Sequence, residues 1–214
     1  MILDYVEMRD TPDRGVGLHT TRSIPRGTIV MMECSRCSRI SRRAARRSAR
    51  WSFIQSHAPI TRSTFPDFLE PCDPRIYFGN HSCNANVLDT GLGFDLAVRD
   101  IPAGTELTFD YRCFFDSTID FPCRCGEPEC GGRIRCLHNR PDLEEAWRSR
   151  IRNAFRGFAV APQPLLDSGY VGQTLRGLLP RPIVVSELGE RVAGGPKIES
   201  RGPDLIDLYM SRNP

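Results

Sequence analysis

No stretch of this 214-residue sequence approaches the run of about 20 apolar residues that a bilayer-spanning helix needs. The opening segment carries Asp4, Glu7 and Arg9 inside its apolar run, so no signal peptide is expected there. These absences predict a soluble, intracellular protein with no membrane contact: cytoplasmic in a microbe, nuclear in a eukaryote. Lysine is almost missing. Lys197 is the only one, beside twenty-eight arginines, a bias that the codons of a GC-rich genome produce. An even set of cysteines is missing too. The nine present, with no secretion signal, argue against a disulfide framework and towards metal ligation or free thiols. Acids are absent from residues 36–50, which hold seven arginines, so the rest of the chain is net acidic although the whole is +3. With 40% hydrophobic and 26% charged residues, the chain has the composition of an ordinary globular protein. Its length suits one compact domain with an appendage, or two small ones.

What is there begins as short strands and turns. Leu3, Tyr5 and Val6 precede the turn-rich Thr11-Pro-Asp-Arg-Gly-Val-Gly17, and Leu18 to Ser23 leads to the corner Ile24-Pro-Arg-Gly27. A near copy of that corner, Ile101-Pro-Ala-Gly104, recurs later between two further short strands. This is β-rich patterning, not a helical bundle or a βαβ sheet. Between the corners the spacing predicts a helix over about Ser38 to Gln55. It would carry Arg39, Arg42, Arg43, Arg46, Arg47 and Arg50 on one face, and Ile40, Ala44, Trp51 and Ile54 on another. The arginine face is either a solvated surface or a contact for nucleic acid or an acidic protein. The chain then reads as irregular up to Arg75. Beyond Cys136, Pro141 opens a helix with acids in its first turn, the apolar stripe Leu143, Trp147, Ile151, Ala154 and Phe155, and Gly157 as a stop. Short helices are expected at Gln173 to Leu179 and Asp204 to Met210.

Three segments carry candidate chemistry. Gly15-Val-Gly17 lets backbone approach a ligand closely. Asn80-His-Ser-Cys-Asn-Ala-Asn86 is a dense polar run between apolar segments. It is either an Asx-rich loop or a set of buried groups that a polar cofactor would partner. Glu106-Leu-Thr-Phe-Asp-Tyr111 is an amphipathic strand ending in an acid and a tyrosine. Twelve residues on, Cys123-Arg-Cys-Gly-Glu-Pro-Glu-Cys130 has thiol spacing that suits tetrahedral zinc but lacks one sulfur. Cys34-Ser-Arg-Cys37 is either half of a second metal site, with Cys72, Cys113 or Cys136 as partners, or a pair of buried free thiols. His19, His57 and His138 belong to no recognisable constellation.

Taken in order, these motifs over residues 4–136 resemble a SET domain followed by its post-SET zinc motif. The resemblance implies a β-rich fold (β with some α) of small curved sheets, with a pseudoknot. It implies a core over residues 1–121 with an insert at about 34–75, a post-SET zinc segment over 122–138 and a partly helical extension over 139–214. It implies a fourth sulfur from Cys83, joining Cys123, Cys125 and Cys130 around one structural zinc. It also implies an S-adenosylmethionine (SAM)-dependent methyltransferase acting on a protein lysine, a histone or another basic protein. Such an enzyme would gain from having few lysines of its own.

The same resemblance makes Tyr111 the catalytic tyrosine, orienting amine and methyl, with Phe109 at a Phe/Tyr position that sets channel room. Phenylalanine there permits di- and trimethylation. Gly15, Val16, Gly17, Asn80 and His81 would contact SAM, together with Tyr111, and Ile134 would pack on the adenine. The insert would help shape the substrate groove, favouring partner recognition by the arginine face. Departures from the family pattern are Ala85 in place of proline, Gly79 in place of a bulky residue, Gly131 in place of a basic one, and no upstream cysteine cluster. No early channel tyrosine is assigned, Tyr77 included. Two rival readings are a SET-fold enzyme acting on a small-molecule amine, and a non-catalytic SAM- or zinc-dependent interaction module.

Overall fold

The computed structural model describes residues 1–12, 14–41, 67–70, 72–90, 92–113, 120–135 and 141–168. Its centre is a seven-stranded sheet. Strands β1 (Val6–Thr11), β2 (Gly15–Thr20), β9 (Glu106–Phe109), β7 (Val87–Asp89), β8 (Phe94–Ala97) and β3 (Ile29–Met32) lie side by side in that order, and β6 (Asn80–His81) pairs with β9 off this path. The β-rich class expected from the sequence is what the chain adopts. Strand β3 is buried at all four residues, as its unbroken Ile-Val-Met-Met demands. β1 and β2 form a hairpin in which Thr11 faces Gly15, so the Gly-x-Gly segment opens a strand instead of lying in the turn.

The two Ile-Pro-x-Gly corners are bonded to each other. Ile24 and Ile101 exchange both backbone N–H···O bonds, each 2.8 Å, and both are fully buried or nearly so. Each corner closes the same way, Thr28 N–H donating to Pro25 O and Thr105 N–H to Pro102 O, both 3.2 Å. Gly27 and Gly104 hold φ of 91° and 81°, which only glycine takes without strain.

The arginine-rich segment departs from expectation. Its start is a strand: β4 (Ser38–Ser41) pairs antiparallel with β5 (Asp67–Glu70), Arg39 opposite Leu69. The helical period is therefore overridden by cross-strand pairing, and Arg39 does not begin a helical basic face. Residues 42–55 of the expected helix lie outside the described residues. So do Gln173 to Leu179 and Asp204 to Met210. The stretch expected to be irregular up to Arg75 contains β5 and the start of a 3-10 helix, Pro74–Phe78, whose N-cap Asp73 accepts from Arg75 N–H.

The expected helix after Cys136 is present as α1 (Pro141–Phe158). Trp147, Ile151, Ala154, Phe155 and Phe158 are all buried, and Phe155 and Phe158 pack their rings on Phe94 of β8. Gly157 lies within the helix and serves a close approach, not a stop. A Cβ there would sit 2.7 Å from Arg26 O, and one on Gly27 would sit 2.7 Å from Gly157 C. A short α2 (Pro164–Asp167) follows. Just before it, buried Gln163 accepts from Ile29 N–H (2.9 Å) and donates to Gly27 O (2.8 Å), fastening the extension to β3.

Candidate active site and zinc cluster

Strands β2, β6 and β9 meet where three sequence motifs converge. β6 runs parallel to β9, Asn80 opposite Thr108 and His81 opposite Phe109. Asn80 Nδ2 donates to Val16 O (3.2 Å) and to Glu106 Oε1 (2.8 Å), and Arg14 forms an ion pair with the other oxygen of Glu106. Gly17 is required by this crowding: a Cβ would lie 2.4 Å from Glu106 Oε1 and 2.9 Å from Asn80 Nδ2. Gly15 sits at the strand's mouth with φ 70°. Gly15, Val16, Gly17 and Asn80 are thus brought together. Asn86 proves to be a strand brace. Its side chain donates to Glu106 O and accepts from Thr108 N–H, both 2.8 Å, so β9 and not a ligand satisfies it.

His81 and Tyr111 are joined beyond the bend of β9. Tyr111 N–H donates to His81 Nδ1 (3.1 Å), Phe109 O lies 3.1 Å from the same nitrogen, and Nε2 is 3.3 Å from Cys83 Sγ. Burial pushes the His81 pKa down to about 4, against the opposing pull of Asp110, so the ring is neutral. The Tyr111 hydroxyl donates to Gly79 O, and burial, helped by Glu106, raises its pKa. It is a neutral hydroxyl, not a phenolate. Phe109 is buried with its ring against the Gly79 backbone; a Cβ on Gly79 would stand 2.4 Å from Phe109 Cε2. Ile134, on β11 (Arg133–Arg135), is buried in the main core and opposes Phe121 of β10 (Asp120–Pro122).

The downstream thiols return to the Asn-His-Ser-Cys segment. Cys83, Cys123 and Cys125 offer sulfurs that lie, with a nitrogen of His81, within 4.8 Å of one another. Cys83 and Cys123 are 3.8 Å apart. A tetrahedral ion with Zn–S bonds of about 2.3 Å has sulfurs about 3.8 Å from one another, so the spacing fits. Cys130 hydrogen-bonds with Cys123 and Cys125 and accepts from Gly132 N–H, so it stands beside this group, although the four ligand atoms within 4.8 Å are those of His81, Cys83, Cys123 and Cys125. His81 belongs to the same group, its Nε2 3.3 Å from Cys83 Sγ. Burial pushes Cys123 up to about 11 and raises Cys83. For Cys125, burial is outweighed by N–H donors from Cys83 and Glu127, and its pKa falls to about 7.

The family model of the SET domain matches residues 15–112. Residues 15–112 of this chain are a SET domain. The chain is 35% identical over 96 residues to histone-lysine N-methyltransferase ASHR3 of Arabidopsis thaliana, covering 40% of this chain and 19% of that protein. It is 31% identical over 140 residues to histone-lysine N-methyltransferase NSD3 of Mus musculus, covering 59% and 9%. It is likewise 31% identical over 170 residues to a human histone-lysine N-methyltransferase, H3 lysine-36 specific, covering 71% and 6%. The SET-domain chain thus spans less than a fifth of the length of these relatives.

Three contributors to this SET site were not singled out in the sequence. Arg14 and Glu106 hold Asn80 and the Gly-x-Gly strand together, and Ser82 Oγ donates to Glu127 Oε1 (2.8 Å), binding the cysteine loop to the motif. Glu106 opens the Glu-Leu-Thr-Phe-Asp-Tyr motif, so its signal was present. Arg14 and Glu127 stand in turns with no signal of their own.

Proposed function

We propose that this chain is a SAM-dependent N-methyltransferase whose acceptor is the ε-amine of a protein lysine, with di- and trimethylation permitted. The observation that carries the reading is the β6–β9 pairing, which sets Asn80 and His81 against Thr108 and Phe109 with Tyr111 immediately beyond. The Gly15–Gly17 strand and Asn80 supply a close backbone approach, an amide and the nearby Arg14 guanidinium. These suit the carboxylate and ribose of SAM, and Ile134 adds an apolar surface for its adenine. SAM supplies an electrophilic methyl group on sulfur.

The protein's own residues do the rest. A free lysine has a pKa of about 10.4, so the amine must shed its proton, and desolvation beside Phe109 favours the neutral form. Tyr111 donates its O–H to Gly79 O, and its hydroxyl oxygen is the atom that would accept from the amine N–H. That fixes the direction of the amine's own lone pair without a general base. Alignment of this kind supplies much of the acceleration in an in-line displacement. Cys83, Cys123, Cys125 and Cys130 would hold one structural zinc, closing the C-terminal segment over the site, with no position open for water. The relatives named for histone lysine support a histone or another basic protein as acceptor, and an intracellular setting. Among the described residues no helix is long and apolar enough to cross a membrane.

Labelled SAM incubated with histones, other basic proteins and small-molecule amines tests the reading. Label on lysine is expected, and Tyr111→Phe should lower turnover by about 10²-fold or more while leaving SAM affinity within a few-fold. Label on small amines alone, or SAM binding with no transfer, would overturn it.

A further inference from the structure

A second group of thiols lies apart from the active site. Cys34 directly follows Glu33 at the end of β3, Cys37 directly precedes β4, and Cys72 follows β5. Residues 38–71 separate Cys72 from the other two, yet Cys34 Sγ is 3.6 Å from Cys37 Sγ and 3.4 Å from Cys72 Sγ. All three sulfurs lie within 4.8 Å of one another. These spacings are close to the edge of about 3.8 Å expected for thiolates around tetrahedral zinc.

The local backbone has the form of the other cluster. Cys37 N–H donates to Cys34 O (3.0 Å), a turn that places both thiols on one side. Cys34 Sγ accepts from the N–H of Arg36, two residues on. Cys125 does the same from Glu127 and Cys130 from Gly132. Amide donors aimed at sulfur stabilise the thiolate over the thiol, which a metal ligand needs and a packed free thiol does not.

We propose that Cys34, Cys37 and Cys72 bind a second zinc ion through three thiolates. The site staples the neck of the insert, where the chain leaves β3 and returns towards Asn80. A cross-link there removes loop-closure freedom from the unfolded chain, and that stabilisation acts on the fold directly. It is independent of methyl transfer, so its test does not depend on the acceptor.

The full chain, purified under reducing conditions, should carry two equivalents of zinc by elemental analysis. Cys72→Ser and Cys37→Ser should each carry one, Cys125→Ser should carry one, and Cys72→Ser combined with Cys125→Ser should carry none. Cobalt-substituted wild type checks the count without any variant: its sulfur-to-metal charge-transfer absorbance should correspond to seven thiolates, against four for a single site. One zinc in the wild type with a four-thiolate cobalt spectrum would overturn the proposal. So would two zinc ions retained in both Cys72→Ser and Cys37→Ser, or a Cys34–Cys72 disulfide in the reduced preparation.

Discussion

Phe109 and Gly79 are fitted to each other. The ring lies on bare backbone, and the bulky residue that family members often carry before the asparagine would collide with it. On the proposed reading the same ring would border the acceptor amine, and it offers no hydroxyl to hold a water or a less-methylated amine. Wild type should therefore give di- and trimethyl product, and Phe109→Tyr should stop at monomethyl, read by mass spectrometry of a modified peptide. Monomethyl product alone from wild type would contradict this. His81 provides a second prediction. Its folded pKa of about 4 lies below the ordinary 6.5, so the unfolded chain takes the proton first. Its contribution is fully present above about pH 6.5 and is lost as pH falls towards 4, at most roughly 3 kcal/mol. Denaturant titrations across that window should show the slope in wild type and not in His81→Gln.

At the scale of elements, the β7–β8 pairing sets Asp89 opposite Asp95. Asp95 is only half-buried by surface exposure, and that burial, with the Asp89 carboxylate adding to it, raises the Asp95 pKa. The folded state therefore holds its proton longer than the unfolded state, and stability falls as pH rises through and above 4. Asp95→Asn should raise Tm at pH 7, with the gain vanishing near pH 4; an unchanged or lower Tm at pH 7 would contradict this. Elements also show how far sequence reading reaches. The strand that carries Asn80–His81 was legible because its polar residues are too dense for padding, and Gly15–Gly17 and Glu106–Tyr111 became legible only because the three together resembled one family. The repeated Ile-Pro-x-Gly corner was legible as a repeat, but its pairing with its own copy was not, since periodicity carries no long-range partner. The insert misled because arginines at helical spacing outweighed a four-residue strand whose partner lies far along the chain. Cys72 gave no local sign of where it would meet Cys34.

Over the whole molecule, the SET match stops at residue 112 but the packed core does not. α1 covers β8 with Phe155 and Phe158, Gln163 satisfies the backbone of β3, and Arg150 donates to Ala85 O inside the Asn-His-Ser-Cys loop. A chain ended at residue 138 would uncover this surface and leave Ile29 N–H unpartnered, so it should lose cooperative unfolding. Gly157→Ala, which places a methyl 2.7 Å from Arg26 O, should cost about 1–3 kcal/mol by the same measurement. The apolar stripe of α1 was readable in advance, whereas the surface that it covers was not. The pairing of β3 with β8 has a consequence in time. Ile29 finds its partner Leu96 only sixty-seven residues later. At synthesis rates of 5–20 residues per second, β3 waits roughly 3 to 13 s for it on the ribosome. Through that interval Ile29-Val-Met-Met32 is an open sticky edge. Slower decoding between the two strands should lower the yield of folded protein without altering a single native contact.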